Sequence, residues 1–302
     1  MNEGVIFAWL LMSLIGTYGA WKYGQLMHQW GYPARPAQSV VIVPIKGRSA
    51  HTQSFIASLL GQDHPRFRVI FAVEVLTDPA VSLIEAMDKG HARTVDIIEA
   101  GLSHDRGQKV WNLSKALQHL TAADELVVMA DADVILPSYW LSNLNWAVID
   151  QGQEIVTGYR LIVPATPTLA ARIVSAINLS VALAPRVTGL TAAWGGTMAM
   201  QKSTLDKVDL ARFWREALSD DLQLTAAAQE KGILIHTNRR TLLVTPWSGT
   251  FPDLVAFGTR QFRILRLNDL FLFIGMISLV ILPLAGFLAV ANSVAHREWL
   301  GI

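Results

Sequence analysis

The sequence contains no cysteine, which excludes disulfides, thiolate zinc sites and cysteine nucleophiles. Any metal must be held by carboxylates, histidines or substrate phosphates. Charge is scarce too: Asp, Glu, Lys and Arg make up 16% of the 302 residues, hydrophobic residues 52%, and the net charge is +1. With no basic run and no RNA-binding aromatic motif, nucleic acid is not an expected partner. So apolar a balance exceeds that of ordinary soluble domains and points to membrane association. There is no internal repeat, and His64, His91, His104, His119 and His236 are scattered as surface or core histidines are, so no serine-histidine triad is read.

Long hydrophobic runs are present at both ends. Gly4 to Ala20 is almost entirely apolar, and Trp9, Trp21, Tyr23 and Trp30 flank or follow it, which fits a bilayer span with aromatic residues near one interface. The acidic start at Glu3 and the lack of a small-x-small site before Trp21 disfavour a cleaved signal peptide. Lys22, Arg35, Lys46 and Arg48 follow, so the positive-inside rule leaves the N-terminus outside and puts the next segment in the cytoplasm, at the inner membrane of the cell. Leu270 to Ala291, interrupted only by Ser278, Pro283 and glycines, reads as a second span. The expected organisation is an N-terminal anchor and linker start at 1–30, a catalytic α/β domain at 38–245, an interfacial segment at 246–268 and a C-terminal span at 269–292.

Between the runs the pattern alternates. Ser39 to Pro44 reads as a buried strand, and Thr52 opens a helix with Phe55, Ile56, Leu59 and Leu60 on one face. Phe67 to Glu74 is a second strand, and a shorter one follows at Thr94 to Ile98. This order predicts a parallel α/β sheet. In the apolar run that opens at Leu126, Val127 to Met129 read as a fully buried strand, and the run ends abruptly at Asp131-Ala132-Asp133. At period two, both carboxylates would project to the same side where the strand leaves the sheet. Two hard oxygen donors there suit Mg²⁺ or Mn²⁺ that also binds a diphosphate. In such sheets ligands bind outside the carboxyl ends of the strands, where Glu74 and Lys109 would also lie.

Further along, Pro137 to Ile149 predicts a helix and Glu154 to Val163 a strand. Leu169 to Leu190 is an apolar helix lying on a membrane, roofing the site or packing in the core. Trp194-Gly195-Gly196-Thr197 places two glycines where backbone can approach a ligand closely. Asp220-Asp221 opens a helix; an N-cap explains one carboxylate there but not two. Arg260, Arg263 and Arg266 recur on roughly one helical face, as in a basic helix at a membrane surface.

Taken together, Glu74, Lys109 with Asn112, Asp131-Ala132-Asp133, Asp220-Asp221 and Arg260-Gln261-Phe262-Arg263 resemble the lipid-directed branch of the family 2 glycosyltransferases, most nearly the ceramide glucosyltransferase group and its bacterial relatives acting on hopanoid or other lipids. The stretches Thr77 to Ala80, Gly107 to Leu113, and Val187-Thr188-Gly189 leading to Gly195-Gly196-Thr197-Met198 share the likeness. Three positions depart from the group's pattern: Glu74 stands for Asp, Asp220 for the Glu of an E-D pair, and Ile264 for the Trp of (Q/R)-x-x-R-W.

The resemblance implies a GT-A fold, Rossmann-like with a mostly parallel sheet, flanked by the two spans. It implies an inverting hexosyltransferase that uses a nucleotide-sugar donor, with UDP the expected nucleotide, and a membrane lipid acceptor. Glu74 would meet the nucleotide base. Asp131 and Asp133 would hold the metal, with Asp131 and Lys109 against the diphosphate. Asp221 would be the general base with Asp220 tuning it, and Arg260 and Arg263 would bind the donor. Polysaccharide synthesis and a catalytically silent sugar-nucleotide-binding scaffold are the competing readings; a single C-terminal span leaves little material for a glycan channel, and the intact acids argue against the silent form.

Overall fold

The computed structural model describes residues 2–27, 31–49, 51–183, 191–268 and 270–299. In chain order its elements are α1 (Asn2–Met27), β1 (Ser39–Pro44), α2 (Thr52–Leu60), β2 (Phe67–Val73), α3 (Pro79–Glu85), β3 (Val95–Glu99), α4 (Gln108–Leu117), β4 (Leu126–Met129) and α5 (Trp140–Asn145). There follow β5 (Ile155–Pro164), α6 (Leu169–Leu183), β6 (Met198–Gln201), α7 (Lys202–Val208), α8 (Leu210–Phe213), α9 (Asp220–Glu230), β7 (Ile235–Trp247), α10 (Phe251–Asn268) and α11 (Leu270–Trp299).

Runs of Val, Ile and Phe too short for stable helices pair as strands because both of their faces can be covered. Among the described residues they form one seven-stranded sheet in the order β3-β2-β1-β4-β6-β5-β7. β1 is parallel to β2 and β4, and β2 to β3. Val41 stands in register with Val69 on one side and Val128 on the other. β6 then enters antiparallel to β4, and β5 antiparallel to β6, so the sheet is mixed but mostly parallel, as expected of the fold.

Successive side chains of β1, β2 and β4 feed opposite faces. Val41, Val43, Val69, Phe71 and Val128 pack with Phe55 and Ile56 of α2. Val40, Ile42, Ile70, Val127 and Met129 pack with Val110 and Leu113 of α4 and Leu224 of α9. The result is a three-layer α/β/α arrangement whose central strands end at a common carboxyl edge.

The helix expected over Pro137 to Ile149 instead starts at Trp140 and ends in a π-helical turn, Trp146–Asp150. Buried Gln62 accounts for the late start: its Nε2 donates to the Pro137 carbonyl at 2.9 Å and its Oε1 accepts the Leu141 N–H at 2.9 Å, intercepting both partners of the first helical bond. His64 is a buried core histidine against Asn145 Oδ1 at 3.0 Å, and burial lowers its pKa.

The chain divides into two units. One comprises 26–161 and 186–245 and holds most of the sheet; the other comprises 1–25, 162–185 and 246–302. Within the second, Trp9 of α1 lies against Gly286 of α11, where any Cβ would collide with it. Phe262 of α10 meets Phe273 of α11 edge-on, with centroids 6.2 Å apart. Among the described residues no helix is long and apolar enough to cross a membrane, so the spans expected at Gly4 to Ala20 and Leu270 to Ala291 are not established by the fold. Val187-Thr188-Gly189 lies outside the described residues.

Candidate active site

The carboxyl edge gathers most of the acids read from the sequence. β4 is wholly buried between β1 and β6, and Ala130 still donates to the Ile42 carbonyl at 3.1 Å. Beyond it the chain leaves the sheet in a turn, so strand alternation no longer governs the two aspartates. Asp131 Oδ1 lies 2.7 Å from Lys109 Nζ, whereas Asp133 Oδ2 lies 3.0 Å from Arg160 Nη1 on β5. Each carboxylate therefore has its own cationic partner, Lys109 for Asp131 and Arg160 for Asp133.

Lys109 is the hub. It sits in the first turn of α4, which Asn112 ties to the end of β2 through Nδ2 and the Ala72 carbonyl, 3.1 Å apart. Its ammonium joins Asp131 to Asp220 Oδ1, 2.9 Å away. Burial works against the charge, but Asp220, Asp131 and Asp221 outweigh it and hold the lysine well above its ordinary range.

Asp220 and Asp221 open α9, which Ser219 caps by accepting the Leu222 N–H. Trp214 Nε1 donates to the Asp220 carbonyl at 3.1 Å, pinning the same turn. The Asp220 side chain is buried, and burial, with Asp221 and Asp131 adding to it, pushes its pKa up to about 6 against the pull of Lys109. Its Oδ2 is buried with no hydrogen-bond partner among the described residues. Half-buried Asp221 is held at both oxygens: Oδ2 accepts the Gly195 N–H at 3.0 Å, and Oδ1 accepts from Leu222 N at 2.8 Å and from the Ser219 hydroxyl. A Cβ at Gly195 would fall 2.7 Å from Lys109 Nζ and 3.0 Å from Asp220 Oδ2, so a larger residue there would have to displace the ammonium.

Glu74 is not part of this cluster. It follows β2, with β1 between it and β4, and pairs with Lys46 at 2.8 Å. Thr77 to Ala80 serves the local backbone, because Asp78 caps α3 through Ala80 N at 2.8 Å and accepts the Gly47 N–H at 2.9 Å. Arg260 and Arg263 lie on α10 in the other unit, both exposed.

Sequence reasoning did not single out Arg160, Lys46 or the Gly195 N–H as partners of the acids. The paired glycines were the only one-dimensional signal for any of them.

For a divalent cation the chain offers Asp131 and Asp133 on one turn, with side chains 25% and 61% exposed. Among the described residues no three acids or histidines gather as a cage. Mg²⁺ and Mn²⁺ bound with nucleotides commonly take one or two carboxylates and complete their shell with phosphate and water. Two carboxylates would leave most of such a cation's shell to phosphate and water, and each would have to share its oxygen with Lys109 or Arg160.

The sequence matches glycosyl transferase family 21 over residues 5–300. The chain belongs to that family. It is ceramide-glucosyltransferase-like, so the resemblance carried by the motifs is borne out, as is the assignment to the glycosyltransferases. A search among curated proteins gives no match. Among solved structures the chain is similar to a mannosyltransferase from Pyrobaculum calidifontis in complex with GDP-mannose and Mn²⁺, with a TM-score of 0.57 and 17% identity over 99% of this chain and 87% of that one. At that identity the likeness establishes the GT-A-like fold.

Proposed function

We propose that this family 21 glycosyltransferase moves a hexose from a nucleotide sugar, UDP-linked by expectation, to the hydroxyl of a membrane lipid, with inversion at the anomeric carbon. The observation that carries the reading is the single ammonium of Lys109 joining Asp131, at the end of β4, to Asp220 at the start of α9. It sets a leaving-group side and an acceptor side next to each other on one sheet edge.

On the leaving-group side Asp131 and Asp133 would hold Mg²⁺ or Mn²⁺, which when bound would supply positive charge against the donor's diphosphate. The likeness to a mannosyltransferase solved with GDP-mannose and Mn²⁺ supports both the nucleotide sugar and the metal. Lys109 adds a fixed positive charge beside Asp131, and Glu74 meets the nucleotide base.

On the acceptor side Asp221 accepts the proton of the lipid hydroxyl while that oxygen bonds to the anomeric carbon and the bond to the diphosphate breaks. Gly195 N–H and the Ser219 hydroxyl fix its orientation. Asp220, kept buried against Lys109, tunes it. No covalent enzyme intermediate is needed.

A lipid acceptor is supported by exposed aliphatic side chains around the same edge: Val75 and Leu76 after β2, Leu102 after β3 and Leu218 before α9. Membrane attachment is supported by exposed Phe7, Leu14 and Trp21 on α1 and Ile281, Leu284 and Phe287 on α11, with the catalytic unit on the cytoplasmic side. The test is to purify the protein in detergent, supply Mg²⁺ or Mn²⁺, a panel of sugar nucleotides and membrane lipids, and follow nucleoside diphosphate and glycolipid. Formation of both is expected. Diphosphate release without glycolipid, or no release from any donor, would overturn the reading.

A further inference from the structure

Between the two halves of the site lies an aromatic pair that the mechanism above does not use. Trp194 directly precedes Gly195, whose N–H holds Asp221 at 3.0 Å. Tyr159 directly precedes Arg160, which holds Asp133 at 3.0 Å. The two rings stand 6.1 Å apart between centroids, tilted by 55°. Both residues are half-buried, and Trp194 packs in part against the apolar core, so each ring keeps some exposure one residue away from a group that holds a site carboxylate.

The indole is seated firmly. One of its faces rests on Gly196, where any Cβ would overlap the six-membered ring. Its backbone N–H donates to Thr157 Oγ1 at 2.9 Å, and its carbonyl accepts from Thr197 N at 3.1 Å. A ring fixed this way, on glycine and within a short bridge, loses little entropy when something packs on its free face.

An apolar plate inside a charged crevice suits a ligand that is itself two-sided. A pyranose has faces of C–H bonds and a rim of hydroxyls, so it can lie on an indole while its hydroxyls turn to acids and cations. The rim partners are at hand: half-buried Asp221 is held by the Gly195 N–H one residue from the indole, and exposed Asp133 by Arg160 one residue from Tyr159. We propose that Trp194, backed by Tyr159, is the platform on which the transferred hexose lies, and that it sets which hexose is accepted. Inverting one ring carbon moves a hydroxyl onto the C–H face and lifts the sugar from the plate, which is how a flat aromatic surface distinguishes epimers.

The inference rests on the glycosyltransferase reading, but its test does not require turnover. Affinities of UDP-glucose, UDP-galactose and GDP-mannose are measured by calorimetry on the full-length protein with Mn²⁺, beside those of UDP and GDP. In Trp194→Leu the best-bound sugar nucleotide is expected to weaken about 10-fold, the scale of one aromatic stacking contact. The matching nucleoside diphosphate should bind as before, and the preference between hexoses should collapse. Trp194→Phe, which keeps a plate, should retain most of that preference and serves where the leucine variant fails to fold. Equal loss for sugar nucleotide and nucleoside diphosphate, or an unchanged hexose preference in a folded Trp194→Leu, would overturn the platform. Tight, Trp194-dependent sugar binding without any glycolipid would instead overturn lipid transfer and leave the platform standing.

Discussion

A lysine shared by several acids makes the site's chemistry pH-dependent at the level of single residues. The pKa of Asp220 stands near 6, above its ordinary value of 3.8. Between those two values the native state binds more protons than the unfolded chain, so stability falls as pH rises from about 4 to 6. Asp220→Asn should remove that slope, which thermal unfolding in detergent across the range will read directly. Lys109→Met leaves Asp131 and Asp220 without their counter-charge. Stranding a buried charge costs about 3–5 kcal/mol, so a lowered Tm at pH 7.5 is expected, partly recovered at pH 5 as Asp220 takes up a proton. Asp221→Asn is different in kind: it removes the base at nearly unchanged volume, and its amide NH2 loses the hydrogen bond from either Gly195 N–H or Leu222 N–H. Transfer should drop by about 10²–10⁴-fold with donor affinity nearly unchanged, and persistence of turnover would sink its role.

At the scale of elements, the loop carrying Trp194 to Thr197 decides how the acids face one another. Gly195→Ala would bring a methyl to 2.7 Å from Lys109 Nζ and 3.0 Å from Asp220 Oδ2, displacing the ammonium from the acids it joins. Single-turnover assays should show the transfer step slowed by about 10-fold or more with little change in nucleotide affinity.

The same element shows where sequence reading succeeds and stops. Leu126 to Asp133 announced itself because an apolar strand ending in carboxylates is a local pattern, and Gly195-Gly196 because paired glycines are. That Asp133 would turn to Arg160 was not legible. It depends on β6 and β5 returning antiparallel beside β4, and nothing within either segment encodes that neighbour. β7 escaped notice because His236, Thr237 and Asn238 interrupt its apolar alternation, and the late start of α5 because a side chain remote in sequence, Gln62, takes its first hydrogen bonds.

For the molecule as a whole, the question is what covers the side chains left in solvent. Phe7 and Leu14 on α1 are 69% and 68% exposed, and Phe287 and Leu288 on α11 are 67% and 66% exposed. Each such side chain would gain about 1.5–3 kcal/mol if it were fully buried, and the membrane attachment proposed above would supply that cover. After lysis the full chain is expected in the membrane pellet through an alkaline carbonate wash; recovery in the supernatant would overturn membrane attachment. The absence of cysteine makes orientation directly testable, because one introduced thiol is the only thiol. In sealed cells a membrane-impermeant maleimide should label Asn2→Cys, ahead of the basic residues that positive-inside retention keeps in the cytoplasm. Lys89→Cys, exposed on the sheet-bearing unit, should stay unlabelled until the membrane is opened. The opposite pattern would place the catalytic edge outside, away from the cytoplasmic pool of sugar nucleotides, and with it the proposed donor supply would fail.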